Sequence, residues 1–149
     1  MELKDYQNGV LDKLDYYLKK LADTKEEAED FVAFQKMKGK EARLTDYAKD
    51  TWEALVQERR IDLLKDKSGH LVPAPYVTRF DGLERPIPNV CLKVPTGGGK
   101  TVVFSNIIWM LSVPTVVIAH RQELLQQAST TLARNAIAHN IIGQKETIK

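Results

Sequence analysis

The sequence predicts an α/β protein, a parallel sheet of alternating strands and helices preceded by a helical region, and three observations carry that prediction. Charge is unevenly spread: residues 1–67 hold 14 basic and 16 acidic side chains, whereas residues 68–149 hold 8 and 4. Apolar residues in the charge-rich part recur at helical spacing. In the charge-poor part, three short apolar runs alternate with two segments of helical length.

Val10, Leu11, Leu14, Tyr17, Leu18 and Leu21 fall on one helical stripe and predict a helix over 7–22. Phe31, Phe34 and Met37 fit a short, separate middle helix ending at Gly39. Ala48, Trp52, Leu55, Val56, Leu63 and Leu64 predict a third helix over 45–64, with Thr45 and Asp46 as candidate caps and Lys65 and Lys67 near its end. Residues 68–89 carry Pro73, Pro75, Asp81-Gly82, Pro86 and Pro88, a density of breakers that no helix interior tolerates. They read as a connector, with Tyr76, Val77 and Phe80 as candidates for a short strand inside it. Strands are then expected at 90–94, 115–119 and 137–142, and helices at 100–111 and 121–134. The domain reading is a helical region over 1–67, a Pro/Gly-rich connector over 68–89 and an incomplete α/β lobe over 90–149.

Composition excludes several classes. With 149 residues, 43% hydrophobic, 28% charged and one cysteine, the chain reads as an ordinary soluble globular protein. Cys91 alone cannot make an internal disulfide and reads as a small buried residue, which makes a reducing, cytoplasmic setting the expectation. The longest apolar stretches are broken by Ser105, Asn106, Ser112 and Pro114, short of the roughly 20 residues that cross a bilayer. The opening Met1-Glu2-Leu3-Lys4-Asp5 lacks the basic and then apolar pattern of a signal peptide, so no membrane partner is expected. His70, His120 and His139 are scattered, with no Cys or paired carboxylate at ligand spacing, which argues against a metal site made by the protein alone. Trp52 and Trp109 read as core residues, and Lys36-Met37-Lys38-Gly39-Lys40 as a solvated basic patch. A net charge of +2 does not by itself announce nucleic-acid binding.

Chemistry enters at Val94-Pro95-Thr96-Gly97-Gly98-Gly99-Lys100-Thr101, between the first expected strand of the sheet and its helix. The strict phosphate-loop spacing is Gly, four residues, then Gly-Lys-Ser/Thr, and the chain meets it at Gly99, Lys100 and Thr101 while placing Val94 where the first glycine belongs. The physics survives that departure. Glycines without Cβ let backbone N–H groups curl around phosphate oxygens, and the helix behind them offers its positive end to the anion. Lys100 then reaches the β and γ phosphates, and the Thr101 hydroxyl holds a Mg²⁺ that bridges them. The plain alternative is a flexible turn, but a chance turn needs neither an apolar strand before it nor Lys-Thr opening an apolar helix after it.

At these residues the chain resembles motif I of superfamily 2 helicases and translocases. The run from Pro75-Tyr76-Val77-Thr78-Arg79-Phe80 through Asn89-Val90-Cys91-Leu92-Lys93-Val94-Pro95 is similar to the restriction (Res) subunit of type III restriction enzymes, as is the early Leu3-Lys4-Asp5-Tyr6-Gln7. The resemblance implies a RecA-like P-loop NTPase lobe. It also puts on Gln7 the reading of the adenine edge, for which an amide suits because it both donates and accepts. From the residues alone, a surface glutamine on an amphipathic helix serves as well. The long separation of Gln7 from Lys100 is more like the type III subunits, with their helical insertion, than like most superfamily 2 helicases. Val116-Val117-Ile118-Ala119-His120-Arg121-Gln122-Glu123-Leu124 resembles motif Ia, which implies nucleic-acid backbone contact at His120 and Arg121. Its Ala-His-Arg-x-Glu-Leu form is closer to phage and DNA-repair helicases. A solvated Arg121 beside Glu123 is the other reading of that turn.

A motor ATPase also needs a carboxylate pair and a transition-state arginine, and neither is found here, so no catalytic residue is assigned and the chain reads as the N-terminal fragment of a longer motor. The expected function is thus the ATP-binding part of an ATP-dependent DNA helicase or translocase. Its cofactors are ATP and Mg²⁺, and its nucleotide-binding residues are Gln7, Thr96, Gly97, Gly98, Gly99, Lys100 and Thr101, with Thr101 also on the metal. Its expected partners are nucleic acid, DNA in preference to RNA, and a modification or specificity subunit, with any nuclease domain outside these residues. The fragment alone is expected to bind nucleotide without efficient hydrolysis. The competing class is a non-enzymatic nucleotide-binding or protein-interaction module.

Overall fold

The computed structural model describes residues 3–95 and 97–142, and the chain divides into two compact units, Met1–Leu11 with Lys93–Lys149, and Asp12–Leu92. Helix α1 (Asp5–Met37) begins in the first and continues into the second. It is one continuous helix where the sequence pattern suggested two. Nothing between 23 and 30 breaks it, since Asp-Thr-Lys-Glu-Glu-Ala-Glu-Asp contains no Gly or Pro, and Lys25 and Glu29 pair one turn apart at 3.6 Å. It stops where expected. Gly39 takes φ +70°, so that Gly39 N–H donates to Lys36 O at 2.9 Å and Lys40 N–H to Gln35 O at 3.0 Å, closing the last turn.

In the second unit, helix α2 (Tyr47–Gln57) is capped by Asp46, whose carboxylate accepts from Lys49 N–H at 3.1 Å, and it buries Tyr47, Ala48, Thr51 and Leu55. Leu14 and Tyr17 of α1 are also buried. Glu58, just beyond α2, holds Lys20 and Tyr16 of α1, each at 3.0 Å. Trp52 is half-buried, its indole N–H on Ala74 O at 3.0 Å.

The third expected helix is cut short. Arg59 turns left-handed (φ 56°) and Arg60 N–H reaches back to Leu55 O at 2.9 Å, so the helix ends before Leu63 and Leu64. Those leucines instead open strand β1 (Leu63–Lys65), which pairs antiparallel with β2 (Leu71–Pro73) in the register Leu64 to Val72. Asp66 makes the turn by accepting from the Ser68 and His70 N–H groups at 2.8 and 2.9 Å, with Gly69 at φ +84°. Farther on, Phe80 bridges Pro86 across a second Asp-built turn at Asp81.

In the first unit, helices α3 (Lys100–Leu111) and α4 (Gln122–Arg134) pack together, with Val103, Ser105, Ala128 and Leu132 buried and Asn135 Nδ2 donating to Ser105 Oγ at 3.3 Å. Both helices lie where the sequence placed them. The expected parallel sheet is not seen among the described residues: the paired strands there are β1 and β2, and the runs 90–94, 115–119 and 137–142 carry no strand pairing. A continuously apolar strand belongs in a sheet covered on both faces. Here that cover is lacking, and Val116, Ile118 and Ile142 are 84, 89 and 94% exposed. Trp109 and Cys91, expected inside, are exposed as well. No helix among the described residues is long and apolar enough to cross a membrane.

Tyr17 gives the second unit a pH dependence. Its buried hydroxyl finds no hydrogen-bond partner among the described residues, and burial, with smaller contributions from Tyr76 and Tyr47, pushes its pKa from 10.0 to about 12. The unfolded chain ionises this phenol near pH 10, the folded chain near 12, so its contribution to stability is full below pH 10 and is lost as pH climbs to 12. Urea unfolding followed from pH 8 to 12 is expected to show that loss in the wild type. Tyr17→Phe is expected to lack this part of the fall and to be at least as stable at pH 8, since it removes an unsatisfied hydroxyl. An equal fall in the two proteins contradicts the assignment.

Candidate nucleotide-binding site

The candidate site lies within the first unit, where the glycine loop meets the start of α1. Two of its glycines need their freedom. Gly97 and Gly99 take φ +76° and +68°, a left-handed backbone that costs a side-chain-bearing residue about 1–2 kcal/mol. Space is equally demanding at the second and third positions. A Cβ on Gly98 would stand 2.9 Å from Pro95 O and 3.0 Å from the buried Val94 side chain, and one on Gly99 would stand 2.7 Å from Gln7 Nε2. Gly98 N–H donates to Pro95 O at 3.0 Å, tightening the loop, and Gly99 O accepts from the Val102 and Val103 N–H groups at 2.9 and 3.1 Å, which starts α3.

Gln7 is 5% exposed and its amide is held at both ends. Oε1 accepts from Lys4 N–H at 3.0 Å in the first turn of α1, and Nε2 donates to Gly98 O, also at 3.0 Å. Tyr6 donates its phenol to the same Gly98 oxygen at 2.6 Å. The structure thus gathers Gln7 with the glycines across a separation of 91 positions. No site role fell to Tyr6 from the sequence; its signal there was its place beside Gln7 in the run Leu3-Lys4-Asp5-Tyr6-Gln7 that carries the resemblance.

Lys100 is exposed and its ammonium donates to Pro95 O at 3.0 Å. Thr101, half-buried in the first turn of α3, borders a cleft of about 570 Å³ whose other wall is the polar side of α4, Glu123 and Arg134 included. Thr96 lies outside the described residues. His120 and Arg121 stand exposed before α4, with Arg121 in its N-cap position making no side-chain cap bond, and they do not join the contacts that gather Gln7 and the glycines. The other histidines are engaged locally, His139 with Ser129 at 2.7 Å and His70 with Asp66 at 3.8 Å. No group of three or more His, Cys, Asp or Glu that could hold a metal ion occurs among the described residues.

A glycine turn, Lys-Thr and a following helix, with a buried amide from α1 seated on the turn, form the arrangement that the sequence led one to expect of a helicase-like ATP-binding domain. The family model described as type III restriction enzyme, res subunit, matches residues 1–148, and the chain belongs to that family. Over 70 residues it is 39% identical to UvrABC system protein B of Bacillus caldotenax, and to the same protein of Geobacillus kaustophilus (strain HTA426). Each match covers 47% of this chain and 10% of the relative, so the chain spans about a tenth of the length of the curated relatives it matches. No solved structure matches.

Gly99→Ala joins backbone strain to a close contact with Gln7. It is expected to lower the stability of the first unit by about 1–3 kcal/mol in urea unfolding and to release the Gln7 amide, seen as faster hydrogen exchange at the start of α1. An alanine variant as stable as the wild type, with unchanged exchange, contradicts this geometry.

Proposed function

We propose that the chain is the ATP-binding part of an ATP-dependent DNA helicase or translocase of the type III restriction kind. The observation that supports this best is the meeting of Gln7 with the glycine loop on Gly98 O, because it joins two elements 91 positions apart that have no local reason to meet. The loop is compatible with a phosphate group on its own terms: a Cβ on Gly98 or Gly99 would crowd Pro95 or Gln7, and Gly97 and Gly99 hold the left-handed conformations found in phosphate-binding turns.

In this reading Thr96, Gly97, Gly98 and Gly99 line the phosphates, and Lys100 exchanges its bond to Pro95 O for the β and γ oxygens. Thr101 supplies a hydroxyl to Mg²⁺, whose remaining positions go to phosphate and water. Bound Mg-ATP supplies the phosphoryl group whose transfer to water drives a motor. Gln7 retains one N–H and one lone pair after its bonds to Gly98 and Lys4, enough to read an adenine edge. In this reading His120 and Arg121, exposed ahead of α4, contact a nucleic-acid backbone, DNA in the first instance. The lobe reading over 90–149 assigns the three unpaired apolar runs to strands of a RecA-like parallel sheet. A modification or specificity subunit as partner and a cytoplasmic setting go with the same reading. A second reading, a superfamily 2 helicase of the phage or DNA-repair type, is favoured by Ala119-His120-Arg121 with Glu123-Leu124 and by the similarity to UvrABC system protein B.

The 149-residue chain is expected to bind Mg-ATP in calorimetric titration, and Lys100→Ala to weaken that binding at least tenfold, since it removes the one side-chain cation assigned to the phosphates. Turnover is expected to stay low with or without DNA. Equal affinity in the wild type and Lys100→Ala removes the phosphate-loop assignment, and DNA-stimulated hydrolysis by this chain contradicts the binding-only expectation.

A further inference from the structure

We propose that Tyr6 is a positioning residue for the phosphate-binding loop: together with Gln7 it holds the Gly98 carbonyl and so sets which way the peptide between Gly98 and Gly99 faces. The inference rests on the nucleotide-binding reading above and deepens it.

That peptide joins two glycines, and a concerted rotation about its flanking bonds meets no Cβ on either side, so the chain itself does little to choose between its two faces. The choice matters for an anion. In a planar trans peptide the Gly98 C=O and the Gly99 N–H point in opposite directions. One face therefore presents a donor to phosphate oxygens, and the flipped face presents a carbonyl that repels them.

The structure shows how the choice is made. Gly98 O accepts from Tyr6 Oη at 2.6 Å and from Gln7 Nε2 at 3.0 Å, which uses both of its lone pairs. The amide of Gln7 cannot turn over without loss, because its oxygen already accepts from Lys4 N–H at 3.0 Å. With the carbonyl drawn toward α1, the Gly99 N–H faces away from α1, and it donates to none of the described residues. Tyr6 is 41% exposed, so its ring is not placed there to fill a core. Its hydroxyl is the part of the side chain with a specific destination. Because both donors sit on successive residues of the first turn of α1, the face that the loop presents is tied to the position of that turn.

The test uses the 149-residue chain as wild type, Tyr6→Phe and Lys100→Ala, together with a protein carrying para-aminophenylalanine at position 6, which restores a donor on the same ring. Affinities for Mg-ATP and for Mg-tripolyphosphate are measured by calorimetry, urea midpoints in parallel, and the Gly99 amide resonance is followed by NMR. Tyr6→Phe is expected to weaken both ligands by about fivefold, the share of one hydrogen bond, and to shift the Gly99 amide while leaving the urea midpoint in place. The aminophenylalanine protein is expected to recover the affinity. Wild-type affinity in Tyr6→Phe, with Lys100→Ala impaired, overturns the role of Tyr6 and leaves the nucleotide reading standing. A loss that follows a lowered urea midpoint and is not recovered by the restored donor also overturns it. Absence of Mg-ATP binding by the wild type overturns the nucleotide reading and this inference with it.

Discussion

One carbonyl oxygen organises the first unit. Gly98 O receives two donors from the opening turn of α1, and through them the N-terminal residues and the glycine loop become a single local structure. Each bond is modest, about 1 kcal/mol net, yet both converge on one atom of a peptide flanked by two glycines. Residues 12–92 lie between the two partners in sequence. Closing so long a connection costs little more than closing a short one, since loop entropy grows only as the logarithm of length, at about 0.6 kcal/mol for each doubling. A folded unit with its own buried residues can therefore occupy the interval without weakening the meeting of its ends.

That intervening unit depends on how its helices stop. α1 ends at a glycine in the left-handed region, as many helices do, but α2 ends at Arg59, which takes the same conformation against its own preference. The return bond from Arg60 to Leu55 O offsets part of that cost. Chain direction changes there, and Leu63 and Leu64 become strand residues that lie 53 and 47% exposed. The ion pairs around Glu58, Lys13 and Asp62 lie near the surface and add little to stability. Most of the unit's stability falls to the buried face of α2 with Leu14 and Tyr17.

The first unit has the opposite character. α3 and α4 carry a small buried seam, while the runs at 115–119 and 137–142 leave long apolar side chains in solvent. The res-subunit family match runs over residues 1–148 and so includes the N-terminal helix as well as the glycine loop. The exposed runs keep the composition of covered strands without their pairing, and uncovered apolar segments of this kind favour association between chains.

What the sequence by itself determined is what short-range chemistry can dictate. The positions of α3 and α4, the stop at Gly39, the Asp46 cap and the phosphate-loop motif all follow from residue types within a few positions of one another. Gln7 was singled out through resemblance, and its seat on Gly98 needed the fold. The sequence pattern misjudged two places where the deciding partner is absent from the local window: the unbroken α1, and the left-handed Arg59 that converts Leu63 and Leu64 to a strand. Apolar periodicity records that a segment is to be covered but not by what, and a helix end set by one backbone angle leaves no compositional mark. Only the tertiary structure decided that Tyr6 and Gln7 share one acceptor, because that depends on where a peptide 92 and 91 positions away from them turns its oxygen.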